Sequence, residues 1–522
     1  EFGHGVRYKS GLGFQVSEKT KKFGYLASVD LSPRGEIIRI ASARKYYIGS
    51  SFQDQQVRVN YNTDKYGYLG RGVFTYDFSN ISALQTEVSY NYSSEFWRSN
   101  NQNRIYSDNS LLSDVLTTDR NPDDKHTLTY AIGYQYKFDT TGKQLLKIDF
   151  DLAWYKQDSK QSLRNTYQAI NGIQPPESGV EMYFSPRTLV LAPKVDYEYK
   201  PNNRVTILIG TKHVEVSNKN QTDQFLFTPT SLALDSNGSN SYKYVERITA
   251  FYGIYRYNYN EKWNFELGLR SEKWFTQGNQ TVLNPALIPA QFNRNKLQFF
   301  PNAGANWKVG KAENISLQYS RRIERPGYNA LIPYAFNVDP YSVWSGNPNL
   351  LPQLSNSLEL TYSMLDGSLS FAGSHFWAAN QIAESTLIRR NDTSRFSEIK
   401  PINIASFRNT GISINYSTEL KKWWSINLFS HFYVNHFQTS IRDNSFNNKR
   451  FSYTLQLTNN FNFGKGWKAD IFGSYQYFNA ESLGYQKPLG MLNLSVRKNF
   501  AKDRATLRLS ANDVLVTQTY IW

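Results

Sequence analysis

The 522-residue chain has no cysteine, which excludes a disulfide scaffold and thiolate metal sites. No apolar run approaches the ~18 to 20 residues of a membrane-spanning helix, and the mean hydropathy is −0.57. A helical membrane protein is thereby excluded. A transmembrane β-barrel is not, because its strands turn only every second residue to lipid and its average hydropathy stays low. Histidine is scarce at six residues. Only His431 and His436 are close in sequence, and their odd spacing puts them on opposite faces of a strand, where they cannot chelate one metal. There is no Gly-x-Ser-x-Gly elbow, no His-Glu-x-x-His and no Gly-x-x-x-x-Gly-Lys loop. No catalytic residue, cofactor or metal ligand is assigned, and an enzyme is not expected. No secretory signal opens the chain at Glu1-Phe2-Gly3-His4-Gly5.

What is abundant is aromatic and basic. The chain holds 37 Tyr, 33 Phe and 11 Trp, and its formal net charge is +16. The basic residues are scattered singly through strand-like and turn-like segments, so nucleic acid is not the expected partner. Cations at strand ends would meet anionic lipid and lipopolysaccharide or line a lumen, and Tyr and Trp suit the aromatic girdles of a barrel.

Residues 125–138 give the clearest pattern. Leu128, Tyr130, Ile132, Tyr134, Tyr136 and Phe138 alternate with Thr127, Thr129, Ala131, Gly133, Gln135 and Lys137. That is a period of two, one face suited to lipid and the other to water. After a turn at 139–144, Leu146, Ile148, Phe150, Leu152 and Trp154 repeat it against Lys147, Asp149 and Asp151. Nearer the N-terminus, 32–35 reads as a tight turn between strands 25–31 and 36–41. Segments 55–61 and 66–77 read as the next pair, and 99–124 as a polar loop. Short turns are then expected at 200–203, 258–262, 308–313, 366–367, 421–422, 464–466 and 501–503. Longer loops are expected at 158–185, 217–241, 277–295, 322–355 and 389–400, with shorter ones at 442–448 and 481–487. Short and long connections alternate, so all short turns share one rim and all long loops the other. The fold class is all-β, a large antiparallel transmembrane β-barrel of about 20 to 22 strands, with short periplasmic turns and long extracellular loops. A barrel this wide is a channel or is plugged.

The stretch Ser320–Ser363 contains five prolines and two glycines between two alternating segments. Proline removes a ladder donor, so this must be a long shaped loop outside the sheet ladder. Its residues Ser320, Arg321, Arg322, Ile323, Arg325, Pro326, Tyr328, Pro333, Tyr334, Asp339, Pro340, Tyr341, Gly346, Asn347, Pro348, Leu350 and Pro352 form a pattern. That pattern resembles the barrel region of TonB-dependent outer-membrane receptors of the Bacteroidetes. Gln353 stands where that family commonly has an acidic residue, and Leu509–Val514 is similar to its Asn-Asp segment near the end of the barrel.

The resemblance implies an outer-membrane barrel over residues 1–522. It also implies a signal and plug preceding the chain, and further strands after it, although Trp522 would itself suit a terminal strand. By the same resemblance the function is import of a ligand too large for porins, driven by the TonB complex through the plug. Surface lipoproteins or other outer-membrane partners are further expectations. The alternative is a structural barrel that scaffolds a multiprotein assembly, its lumen closed by a partner. Arg321, Arg322 and Arg325 read as holding the large loop, through Glu324 or Asp339, more readily than as a cationic lip. Asp339-Pro340-Tyr341 and Gly346-Asn347-Pro348 read as turn chemistry. Tyr341, Trp344 and Phe336 are candidates to stack on a glycan or siderophore. The loops at 158–185 and 322–355 are expected to be open to protease from outside.

Overall fold

The computed structural model describes residues 2–4, 8–48, 51–333, 335–389, 396–441, 444–500, 505–515 and 517. Nearly all of them are strand, and almost every strand segment belongs to one sheet. Where one ladder is interrupted, two segments form a single pass of the wall. Twenty antiparallel passes then follow one another among the described residues, from Leu12–Lys19 to Ala505–Ala511. Each pairs with the next in sequence, the up-and-down order of a barrel wall.

The two faces follow the period-two pattern. In Trp263–Val282, Phe265, Leu267 and Leu269 point outward and are exposed, at 39%, 61% and 53%. Asn264, Glu266, Glu272 and Trp274 alternate with them on the inner face. Leu128 and Tyr130 lie on the exposed outer face. Near the short turns, Trp263 stacks on Trp307 at 5.2 Å, and Trp423 lies 6.1 Å from Phe461 and 6.2 Å from Phe463. This is the amphipathic belt expected at a headgroup interface.

Several connections differ from the sequence expectation. Residues 99–124 are not a loop. Strands Ser82–Ser107 and Ser110–Lys137 are joined by Asp108-Asn109, with φ of 47° and 68°. Two adjacent left-handed residues make the tight hairpin turn whose twist matches paired strands. Likewise, 55–61 and 66–77 are one strand, Ser51–Ser79. The turn at 32–35 is instead an interruption within one pass. Phe23–Leu31 and Arg34–Ile48 both pair with Ser51–Ser79, in continuous antiparallel order, because Pro33 removes a donor without reversing the chain. The long loops are also shorter than expected. Strand Gln144–Tyr167 runs on to leave residues 168–177 as connection, and Val205–Thr228 folds back on Ser231–Leu234 as a small hairpin. Strand Ser397–Lys421 takes in the end of the 389–400 segment. Tyr334, Trp522 and the turn at 501–503 lie outside the described residues.

Strand Ser51–Ser79 is 29 residues long, about 95 Å at ~3.3 Å per residue. A tilted strand needs only ~9 to 11 residues to cross the bilayer. The wall over its first passes therefore rises well above the membrane on the side of the long connections.

Candidate functional site at the barrel mouth

The polypeptide leaves the wall at Glu324 and rejoins it at Gln353, which is the residue paired with Glu324. Residues 325–352 thus form a loop that begins and ends at one point. The sequence marked it as a long shaped extracellular loop without giving its direction, and it folds into the mouth of the barrel. Its contacts reach from the second pass, at Arg44, to the fifteenth, at Ser397–Ile399, so the sheet must curl around it.

The loop carries its own secondary structure. A short helix, Tyr328–Leu331, is followed by a hairpin of Ala335–Asp339 with Ser342–Ser345, and Ser342–Trp344 pairs in parallel with Ser397–Ile399 of the wall. Apolar packing holds the helical half. Leu331, Ile332 and Leu350 are buried against Tyr242 and Tyr244, with Phe292 beside them. Gly346 passes so close to the helix end that a Cβ there would lie 2.2 Å from the Ile332 carbonyl oxygen. Only glycine fits. The Asn347 N–H donates to the Ala330 carbonyl at 2.6 Å, its Nδ2 to the Pro401 carbonyl at 3.0 Å, and its Oδ1 accepts from Asn349 N at 3.0 Å. Asn347 is thus both a turn residue, as its sequence suggested, and a tie to the wall.

Two arginines clamp the same half. Arg325 donates from Nη2 to Glu272 Oε2 at 2.6 Å, and its Nε lies 3.5 Å from Glu246 Oε1. Its guanidinium sits 5.8 Å from the Trp274 ring centroid. The partners suggested by sequence, Glu324 and Asp339, are engaged elsewhere: Glu324 accepts from Gln353 and Asp339 from Asn101. Arg294 donates to the Leu350 carbonyl at 2.6 Å and the Pro348 carbonyl at 2.8 Å, lying over Phe292. Arg321 is exposed on the outer face of its strand, whereas Arg322 faces inward.

The hairpin half meets a polar wall. Phe336 packs on Trp97 at 5.9 Å, and Tyr341 shares a 2.7 Å hydrogen bond with Ser113. Asn101 Nδ2 donates to Asp339 Oδ2 at 3.2 Å, Gln161 Nε2 to the Asn337 carbonyl at 2.8 Å, and Arg44 Nη1 to Ser342 Oγ at 3.1 Å. The Tyr341 N–H donates to Asp339 Oδ1 at 2.8 Å, closing the turn over Pro340. Asp339, in the loop and 4% exposed, has its carboxyl pushed up by burial. Asp119, as buried, stands eighteen residues from the short-turn end of Ser110–Lys137 and so above the membrane band; burial raises its carboxyl to about 7. Tyr328 and Pro326 lie where the loop leaves the wall, and Tyr328 also closes a small cavity with Tyr155 and Pro186.

On the inner face a groove of about 740 Å³ has Arg256, Glu266, Asn302, Gln318, Arg322 and Glu359 on its walls. The histidines agree with the periodicity: His431 stacks on Tyr433 on the inner face, while His436 bonds Asn447 on the other. Among the described residues no three His, Cys, Asp or Glu side chains cluster as a metal site. The wall residues Glu246, Glu272, Arg294, Asn101, Asp119 and Gln161 escape the sequence reading. Each is a polar residue at an inward position of a strand longer than the membrane requires, and that was the available signal.

The profile of the outer membrane protein β-barrel family matches residues 136–521, and the chain belongs to that family. It is a protein of the bacterial outer membrane. Among solved structures it is similar to the siderophore receptor PiuA of Acinetobacter baumannii, with TM-score 0.59 and 10% identity over 100% of this chain and 79% of that one. The ferric-catecholate import receptor Fiu of E. coli K12 gives 0.57 and 9% over 98% and 77%. The siderophore receptor PirA of Pseudomonas aeruginosa gives 0.52 and 12% over 97% and 76%. At these identities the likeness is one of fold. No curated protein matches the sequence.

Proposed function

We propose that this barrel is the wall of a TonB-dependent receptor that captures a ligand too large for porins at its extracellular mouth and imports it through the lumen. The observation that carries this reading is the inward loop. A passive pore needs an open mouth, whereas here residues 325–352 occupy it and are held by ion pairs and side-chain hydrogen bonds that can break and re-form. The similar folds named above are two siderophore receptors and a ferric-catecholate import receptor, which favours the same class of work. In this reading Arg325, Gly346 and Asn347 hold the loop. Arg322 faces the passage, and Phe336 and Trp344 are candidates to meet ligand once the hairpin moves. In the same reading the TonB system supplies the energy, by displacing a plug from the lumen.

The test is uptake of a panel of radiolabelled ferric siderophores by cells with and without the gene, before and after a protonophore. Energy-dependent uptake that requires the gene supports the receptor. Normal uptake without the gene, together with purification in stoichiometric complex with other outer-membrane proteins, favours a scaffold instead.

A further inference from the structure

The hairpin half of the loop meets a buried cluster of carboxylates and side-chain amides on the wall. Asp119 has Asn101 and Gln161 as diagonal neighbours on the inner face, since Ser99 pairs with Asp119, Asn101 with Thr117, and Asp119 with Leu163. Gln161 Nε2 donates to Asp119 Oδ2 at 2.9 Å and to the Asn337 carbonyl at 2.8 Å. Asn101 Nδ2 donates to Asp339 Oδ2 at 3.2 Å. The Tyr61 hydroxyl is pushed up by burial first and then by the charges of Asp119 and Asp339, so both carboxylates lie in its neighbourhood. All four side chains are buried, Asn101 and Gln161 to 1% exposure and the two aspartates to 4%.

In this cluster the amide nitrogens bond to oxygens, and three acceptors are left over. Asn101 Oδ1, Gln161 Oε1 and Asp119 Oδ1 are all buried with no hydrogen-bond partner. Buried acceptors in native proteins are paired, because leaving one bare costs its full desolvation. Arg44, which donates to Ser342, offsets the charge of Asp339, whereas among the described residues no cation offsets that of Asp119. An excess of inward carboxylate and amide oxygens with no nitrogen or sulfur ligand is the donor chemistry of a hard cation.

We infer that Asp119, Asn101, Gln161 and Asp339 form a calcium-type cation site that fastens the inward loop to the barrel wall. Calcium suits it better than magnesium, because it accepts carboxylate, amide and backbone carbonyl oxygens in irregular sets of six to eight. The ion joins three wall strands to the loop strand, so its presence and closure of the loop are linked.

The test uses the purified protein in detergent, first stripped with chelator and then titrated with calcium. Terbium serves as the luminescent probe, excited through Tyr61 and Trp97, whose rings are 6.1 Å apart beside the site. Expected are about one calcium per chain after dialysis, terbium emission that saturates and is competed by calcium, and a calcium-dependent rise in melting temperature. Asp119→Asn keeps the shape and the bond from Gln161 but removes the charge. It should fold and lose at least tenfold in calcium affinity. Glu181→Gln, at a carboxylate already paired with Lys160 and Arg164, should titrate like the wild type. No bound calcium and no saturable emission in the wild type, or an unchanged affinity in Asp119→Asn, overturns the site and leaves the oxygens to water and a proton on Asp119.

Discussion

Arg325→Met is the sharpest test of how the loop is held. Arg325 is 19% exposed, and its partners Glu246 and Glu272 are 14% and 7% exposed. Removing one member of a buried ion pair costs about 3 to 5 kcal/mol, mostly the desolvation of the partner left behind. Glu272 keeps a second partner, Arg270 at 2.6 Å, so the abandoned charge is chiefly that of Glu246. The lower end, about 3 kcal/mol, is therefore expected. The barrel ladder does not depend on this pair, so the loss should appear as local opening of the loop and not as unfolding of the wall. Hydrogen exchange of the loop amides reports that opening directly. The Asn347 and Ala330 N–H groups, bonded within the loop, should exchange roughly a hundredfold faster at about 1.4 kcal/mol per decade. Arg325→Met with Glu246→Gln removes both charges and should regain most of the loss, as neutral replacements of buried pairs do. Acceleration of less than about fivefold in the single variant refutes the clamp. A double variant as fast as the single one shows that packing on Trp274, not charge, was lost.

Other outcomes follow from the same contacts. Gly346→Ala puts a methyl group 2.2 Å from the Ile332 carbonyl oxygen, so protease added to whole cells should cut residues 325–352 in the variant and spare them in the wild type. The exposed connection at 168–177, where Ile173 is 74% exposed, should be cut in both. Leu267→Arg or Leu128→Arg, on the outer face, should cost about 2 to 4 kcal/mol near the bilayer midplane, read from unfolding in lipid vesicles; an unchanged midpoint would reverse the face assignment. In chelator, loop closure should depend on Asp119. Its carboxyl is raised from 3.8 to about 7, so the closed form holds a proton that the open form releases. Closure is then strongest below about pH 4 and weakens as pH rises through 7, by at most about 4 kcal/mol at 1.36 kcal/mol per unit. Exchange of the loop amides at pH 5 and pH 8, corrected for intrinsic rates, checks this, and Asp119→Asn should flatten it.

Much of the wall was legible because lipid enforces a strict period of two, and Leu128 through Phe138 alternate without a break. Where the strands leave the membrane, the outer face no longer has to be apolar and the signal fades. Residues 99–124 are polar on both faces for that reason and read as loop, although Asp108-Asn109 was a hairpin turn in plain view. Pro33 misled in the opposite sense, interrupting a ladder where it suggested a reversal. At the mouth, the prolines and Gly346 marked a shaped loop, but its direction was hidden. Whether it folds in or out depends on Glu246, Glu272 and Arg294, which sit 31 to 79 residues upstream of Arg325, and on Asn101 and Gln161, further still. Such partners carry no local pattern and are set by the curl of the sheet.

The two halves of the loop are held by different physics, and this bears on how the mouth opens. The helical half buries Leu331, Ile332 and Leu350 and is clamped by Arg294 and Arg325, so moving it exposes apolar surface and buried charge together. The hairpin half rests on hydrogen bonds with Asn101, Gln161, Ser113 and Arg44, on the short parallel ladder of Ser342–Trp344 with Ser397–Ile399 and on the packing of Phe336 against Trp97. Water can replace those hydrogen bonds at little net cost, about 1 kcal/mol each. The hairpin should therefore move first, hinging about the helix. A spin-label pair between the hairpin and the Asn101 wall should broaden in distance on raising pH or removing calcium, while a pair between the helix and Tyr244 stays fixed. If both pairs broaden together, the loop moves as one body and the division into latch and anchor fails.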